Sequence, residues 1–187
     1  MGGCPQEIVA RLNAIVENLA RAQAGFLRAA EDVSEDQWKT NPVARRWSAG
    51  ELVSHLICVE RAIISGADKL LKSVPKPLAF YKRFHIPMAL VESRLLKRKS
   101  PQFVEPQVVR GKEEMLAELR QVREWTLAFI EETRGRDLSG YHMPHPFLGT
   151  LNAYEWFQLI ASHEVRHTKQ MKEIAASLPK SVTRLQK

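Results

Sequence analysis

The sequence predicts an all-α fold, a four-helix bundle with one long crossover connection. Three observations carry this. Four long segments place apolar residues every three or four positions, no segment alternates apolar and polar residues, and a proline-rich stretch separates the second helical segment from the third. At 187 residues, with 44% hydrophobic and 26% charged residues, the chain has the length of one packed domain over 1–187, expected to be ordered from about 5 to 178. Nine glycines and ten prolines are ordinary globular usage, which excludes fibrous and disordered classes. No apolar run reaches the roughly 18 residues of a membrane span, and the N-terminus lacks a basic and apolar signal pattern, so a cytoplasmic protein without membrane association is expected. The opening Met1-Gly2-Gly3-Cys4-Pro5-Gln6 has Gln6 where N-myristoylation wants Ser or Thr.

The first helix is expected over Pro5 to Glu31, with a stripe of Ile8, Leu12, Ile15, Leu19, Ala22 and Phe26. Ser34 followed by Gln37 suggests a capped short turn of helix, stopped by Asn41-Pro42. Ser48 with Glu51 has the spacing of a capping box, in which each side chain takes the other's backbone N–H, and opens helix two. Its stripe is Leu52, His55, Leu56, Val59, Ala62, Ile63, Gly66 and Leu70, and it ends before Pro75 and Pro77. Residues 74 to 110 carry five prolines and form the crossover, with room for a short helix after Pro87 that would place Leu90, Val91, Leu95 and Leu96 on the body. Helix three runs from about Lys112 to Thr133, burying Met115, Leu119, Val122, Thr126, Phe129 and Ile130, with Gly135 as its terminating glycine. After a polar, proline-containing loop, Asn152 with Glu155 caps helix four, whose stripe is Trp156, Ile160, His163, His167, Met171, Ile174 and Leu178 before Pro179. The tail beyond Pro179 is expected to fray.

His163 and His167, four residues apart, stand on one helical face with Cβ atoms about 5–6 Å apart. Both lie on the inward stripe, where an unpartnered polar ring costs roughly 1–3 kcal/mol. His55 lies on the inward stripe of helix two. Three imidazoles from two helices can therefore converge inside the bundle and share a divalent metal, the alternative for each being a core histidine bonded to a neighbour. Three protein ligands leave a coordination position for water or substrate, the arrangement of a catalytic site. A metal there lowers the pKa of bound water or thiol.

Four stretches of the chain carry a resemblance. Trp47-Ser48-Ala49-Gly50-Glu51-Leu52-Val53-Ser54-His55-Leu56 is similar to a W-S-x-x-E-x-x-x-H-L opening of helix two. His145-Pro146-Phe147-Leu148-Gly149-Thr150-Leu151 and Glu155-Trp156-Phe157 follow, and His163-Glu164-Val165-Arg166-His167-Thr168-Lys169-Gln170 matches an H-x-x-R-H-x-x-Q segment. In this order the chain resembles the DinB-like family, of the DinB and YfiT type, over most of its length. The resemblance implies an up-down-down-up bundle, a homodimer, and His55, His163 and His167 as metal ligands. It also implies a metal-dependent transferase using a low-molecular-weight thiol, or a hydrolase, acting on a small-molecule substrate. Zinc or nickel is the expected ion, with iron, manganese and copper also compatible with three imidazoles.

Around these ligands, Glu164 and Arg166 are the candidate catalytic residues. Glu164, about 100° off the stripe, reads as a surface salt bridge or a carboxylate behind a ligand; Arg166 reads as a fork for a substrate carboxylate or as a solvated arginine. Cys58, one turn after His55, is a small buried thiol rather than a fourth ligand, and Cys4 is too remote for a disulfide framework. His142 and His145 sit in the loop before helix four, where they could line the mouth of the site, and His85 has no evident partner. Trp38, Trp47 and Trp156 read as packing. The net charge of +7 is concentrated between Lys69 and Lys99, where nine Lys and Arg face only Glu92. This reads as a solvated basic connection, and nucleic acid is not expected as a partner because no reading helix or stacking platform accompanies it. The competing functional reading is a non-catalytic, metal-binding or stress-induced dimer.

Overall fold

The computed structural model describes residues 4–43, 46–78, 91–92 and 105–178. Four helices dominate: α1 (Pro5–Glu31), α2 (Ala49–Leu71), α3 (Lys112–Glu132) and α4 (Ala153–Ser177). The polar caps set where α2 and α4 begin. Ser48 Oγ accepts the Glu51 N–H at 3.2 Å while Glu51 accepts the Ser48 N–H at 2.7 Å. Asn152 Oδ1 accepts the Glu155 N–H at 3.1 Å, and Glu155 accepts the Asn152 N–H at 2.7 Å. Helix α3 is capped at Thr133, and Gly135 adopts φ +89° in the following turn, which the Arg136 N–H closes on the Thr133 carbonyl; glycine takes this left-handed backbone without a Cβ penalty.

Between α3 and α4 the structure corrects the expectation of no strand. A short antiparallel hairpin, β1 (His142–His145) and β2 (Gly149–Asn152), pairs His142 with Asn152 and His145 with Gly149. Four residues per strand are too few to write an alternating pattern into the sequence. Trp156 Nε1 donates to the Met143 carbonyl at 3.1 Å and pins the hairpin to α4. The Ser34–Gln37 region is a run of successive turns rather than a helix, with Trp38 fully buried beneath it.

The helix directions follow from which residues share a core. One apolar cluster joins Leu12 to Ala22 of α1, Ile63 to Leu71 of α2, Ile130 of α3 and Ala153 to Ala161 of α4. The other joins Phe26 to Ala30 of α1, Ala49 to Ile57 of α2, Met115 to Val122 of α3 and Met171 to Ile174 of α4. Helices α1 and α4 therefore run from the first cluster to the second, and α2 and α3 run back: up-down-down-up. The crossover joins the parallel pair α2 and α3. In cross-section α1 packs on α4, α4 on α2 and α2 on α3.

Each buried face is wider than a single stripe. Val53, Ile57, Ala67 and Leu71 are buried on α2 beyond the expected residues, while Ala62 is exposed and Val59, Gly66 and Leu70 are half-buried. Phe129 is half-buried against the first cluster. Val91 packs on the body, but the short helix expected after Pro87 with Leu90, Leu95 and Leu96, His85, most of the basic stretch from Lys69 to Lys99, and the tail beyond Pro179 lie outside the described residues. No helix of the described residues is long and apolar enough to cross a membrane.

Candidate metal centre

A polar region borders the second apolar cluster, and the histidines form one half of it: on α4 they fall between the two clusters, and on α2 His55 sits beside Leu52 and Leu56 of the second. His55 comes from α2, and His163 and His167 from successive turns of α4. His163 Nε2 lies 3.4 Å from His55 Nε2 and 3.1 Å from His167 Nε2, and the three ligand atoms all fall within 4.8 Å of one another. His55 and His167 are buried and His163 is half-buried.

Hydrogen bonding among the rings alone does not account for this geometry. An imidazole nitrogen carries one in-plane lone pair or one hydrogen, so His163 Nε2 cannot serve two neighbouring nitrogens on different helices at once. A tetrahedral ion with bonds of about 2.0–2.1 Å would hold its nitrogens roughly 3.3–3.4 Å apart. The two separations from His163 sit near that value and all three ligand atoms lie within 4.8 Å of one another, so the three histidines could hold one metal ion. His163 is held well below the usual histidine range, first by burial, then by the facing His167 and His55, with smaller contributions from Arg166 and His145. Its imidazole is therefore neutral at pH 7, the form that coordinates metals. His167 Nδ1 lies 3.0 Å from Gln170 Oε1, so Nδ1–H can donate to the amide oxygen and leave Nε2 its lone pair. The Trp47 ring packs on His55 at 4.7 Å between centroids and reaches His167 at 6.5 Å, so this tryptophan covers the cluster as well as preceding the cap of α2.

The other half of the region is ionic, and here Glu164 needs correcting. It is buried, 1% exposed, rather than part of a surface salt bridge. Although about 100° from His163, Glu164 is only about 60° from His167 and follows the buried Ile160 by four residues, so it still points into the bundle. Arg123, 2% exposed, is the hub. Its Nε and Nη2 donate to Glu60 at 2.8 and 3.0 Å, Nη2 also donates to Glu164 Oε2 at 3.0 Å, and Nη1 donates to the Leu19 carbonyl at 2.7 Å. One guanidinium on α3 thus touches α1, α2 and α4. Burial pushes the Glu164 carboxyl up to about 7, with the Glu60 charge adding to the rise and Arg123 opposing it. Neither Glu60 nor Arg123 stands out in the sequence, where isolated charges read as surface.

Arg166 is half-buried, and its Nη1 donates to the Val91 carbonyl at 3.3 Å. Ser162 Oγ donates to Glu92 Oε1 at 3.2 Å and Lys169 Nζ to the Glu92 carbonyl at 2.9 Å, so this face of α4 is fastened to the crossover. Cys58 is half-buried outside the histidine cluster, and burial raises its thiol pKa. His142 and His145 do not join the cluster. His145 Nδ1 instead accepts the Phe147 and Leu148 N–H groups, each at 3.1 Å, and shapes the hairpin turn.

The profile of the DinB superfamily matches residues 18–171, a span that contains all three histidines and the whole ionic network. The chain is 31% identical over 151 residues to the uncharacterized protein YuaE of Bacillus subtilis (strain 168), covering 80% of this chain and 90% of that one. No solved structure matches. The chain belongs to the DinB superfamily.

Proposed function

We propose that the protein is a divalent-metal-dependent enzyme acting on a small molecule, a thiol-dependent transferase or a hydrolase, with the metal held by His55, His163 and His167. The observation that carries this reading is the convergence of three Nε2 atoms from two helices, at separations of 3.1 and 3.4 Å about His163. Zinc or nickel fits a set of neutral imidazoles, and iron, manganese or copper would also be accepted. When bound, the ion would lower the pKa of a water or a thiol so that hydroxide or thiolate exists near neutrality.

The chain's own residues supply the rest. Gln170 holds His167 in the tautomer that presents Nε2, and the half-buried side of His163 is the approach for a small substrate. Arg166, close enough to lower the His163 pKa, places positive charge beside that approach and favours an anionic thiol or substrate. Glu164 is committed to Arg123 inside the bundle and is not assigned a proton-transfer role. A homodimer belongs to the same reading and rests on the family resemblance. The non-catalytic, metal-binding reading has one observation in its favour, the Trp47 ring that closes over His55 and His167.

Elemental analysis of untagged protein purified without chelator, beside His55→Ala and His167→Ala, tests the centre. The expected result is near one ion per chain in the parent and little in either variant, with helical content retained. Full metal in His167→Ala would remove that residue from the ligand set, and no metal after reconstitution with zinc or nickel would end the reading. Turnover of the loaded protein across a panel of thiols with electrophiles, and of simple esters and amides, then separates enzyme from metal-binding protein.

A further inference from the structure

We infer that Arg123 is a positioning residue for the metal centre, setting the spacing between the two ligand-bearing helices. This rests on the metal reading above and adds to it a residue on a third helix that touches no ligand in the contacts seen here. His163 and His167 are separated by one turn of α4, so their relation is fixed by the helix itself. The distance from His55 to that pair depends on how α2 sits against α4. Arg123 ties those two helices together: its fork grips both oxygens of Glu60, about one and a half turns beyond His55, and its Nη2 grips Glu164, which lies between the two α4 ligands in sequence. The bond from Nη1 to the Leu19 carbonyl fixes the guanidinium from the α1 side. A planar fork with all these donors engaged admits little sliding of one helix past another.

Stability alone does not call for this arrangement. A buried ionic triad can often be replaced by neutral or apolar groups of similar volume without loss, because desolvation offsets the attraction between the charges. Here it interrupts the apolar interior between Val122 and Ile130 of α3, and its partner Glu164 lies between the two α4 histidines in sequence. Geometry at the centre is what the network adds.

The test compares the parent with the triple variant Glu60→Gln/Arg123→Met/Glu164→Gln, which removes every charge of the network together, and with Arg123→Lys, which keeps the charge and loses the fork. Three quantities are read on each: thermal unfolding of the chelator-treated protein, Co²⁺ affinity by competition with a chromophoric chelator at fixed pH, and the visible d–d bands of the Co²⁺ complex. The expected triple variant is folded, with a midpoint near or above the parent's, but binds Co²⁺ roughly 10- to 100-fold more weakly and shows shifted d–d bands. Arg123→Lys is expected between the two. A folded triple variant with parental affinity and spectrum would overturn the inference while leaving the metal centre standing. If the triple variant does not fold, Arg123→Lys decides by the same two metal readings. A parent that fails to bind Co²⁺ would overturn the metal reading and this inference together.

Discussion

Replacing Gly50 by alanine sets two effects against each other, and the structure says which one wins. Gly50 is the second residue of α2, and helix propensity alone favours alanine by up to about 1 kcal/mol in a helix interior. A Cβ at Gly50, however, would lie 2.2 Å from Val109 Cγ1, 2.8 Å from Trp38 Nε1 and 3.2 Å from Trp38 Cδ1. Ordinary carbon contacts begin near 3.5 Å, so the indole would have to retreat by roughly 0.7 Å and Val109 by more than about 1 Å. Trp38 is fully buried, and its carbonyl also accepts the Gly50 N–H at 3.0 Å, so the ring cannot move without disturbing the start of α2. Overpacking of this kind costs about 1–3 kcal/mol, against a propensity gain that shrinks at a helix's first turn. The expected outcome for Gly50→Ala is a net loss of about 1–2 kcal/mol. It would be seen in urea unfolding as a lower midpoint with an unchanged slope, and Val109→Ala in the same background should restore part of it. A variant as stable as the parent would refute the packing argument, and with it the idea that the Trp38–Gly50 contact seats the helix that carries His55.

Two further predictions concern pH. Glu164 titrates near 7 in the fold against 4.5 as a free carboxyl, so the folded chain keeps a proton that the unfolded chain has released between those values. Its contribution to stability is present below 4.5 and is lost as pH rises to about 7, by about 3 kcal/mol; urea unfolding of chelator-treated protein should show that decline in the parent and not in Glu164→Gln, and equal slopes would count against it. Burial lowers the His145 pKa below its usual 6.5, so its contribution is present above 6.5 and lost as pH falls through the lowered value. Protonated Nδ1 would face two N–H donors, so amide-exchange protection factors at Phe147 and Leu148 should drop on acidification in the parent, and that step should vanish in His145→Ala.

The helices were legible because their signals are local. Ser48 with Glu51 and Asn152 with Glu155 mark starts that the structure reproduces to the residue, and Gly135, two residues past the Thr133 cap, marks the turn that follows α3 by its left-handed backbone. The histidine cluster was legible for the same reason: a four-residue spacing and a position on an apolar stripe are properties of single helices. Glu60, Arg123 and Glu164 were not, although each occupies a three-and-four seam position, Leu56-Glu60-Ile63, Leu119-Arg123-Thr126 and Ile160-Glu164-His167. A lone charge on a seam reads as solvent-facing because burying it unpaired is prohibitive. Only the meeting of three helices, with partners 41 and 63 residues apart in sequence, shows that each charge is paired. Trp47 over the imidazoles is likewise a tertiary contact, invisible to a reading that sees a tryptophan before a helix cap.

The placement of charge halfway along the bundle has a consequence for alignment. Leucine, isoleucine and alanine on the seams are nearly interchangeable, so a bundle apolar from end to end could slip one helix by seven residues and still bury similar area. In this chain, moving α2 by one such step would set Val53 or Ala67 against the guanidinium and leave Glu60 among the aliphatic side chains of one cluster or the other. Either misalignment strands an ion in hydrocarbon, at a cost of several kcal/mol. The charges thus act as a registration mark, admitting one vertical setting of the helices out of several that the hydrophobic pattern alone would allow.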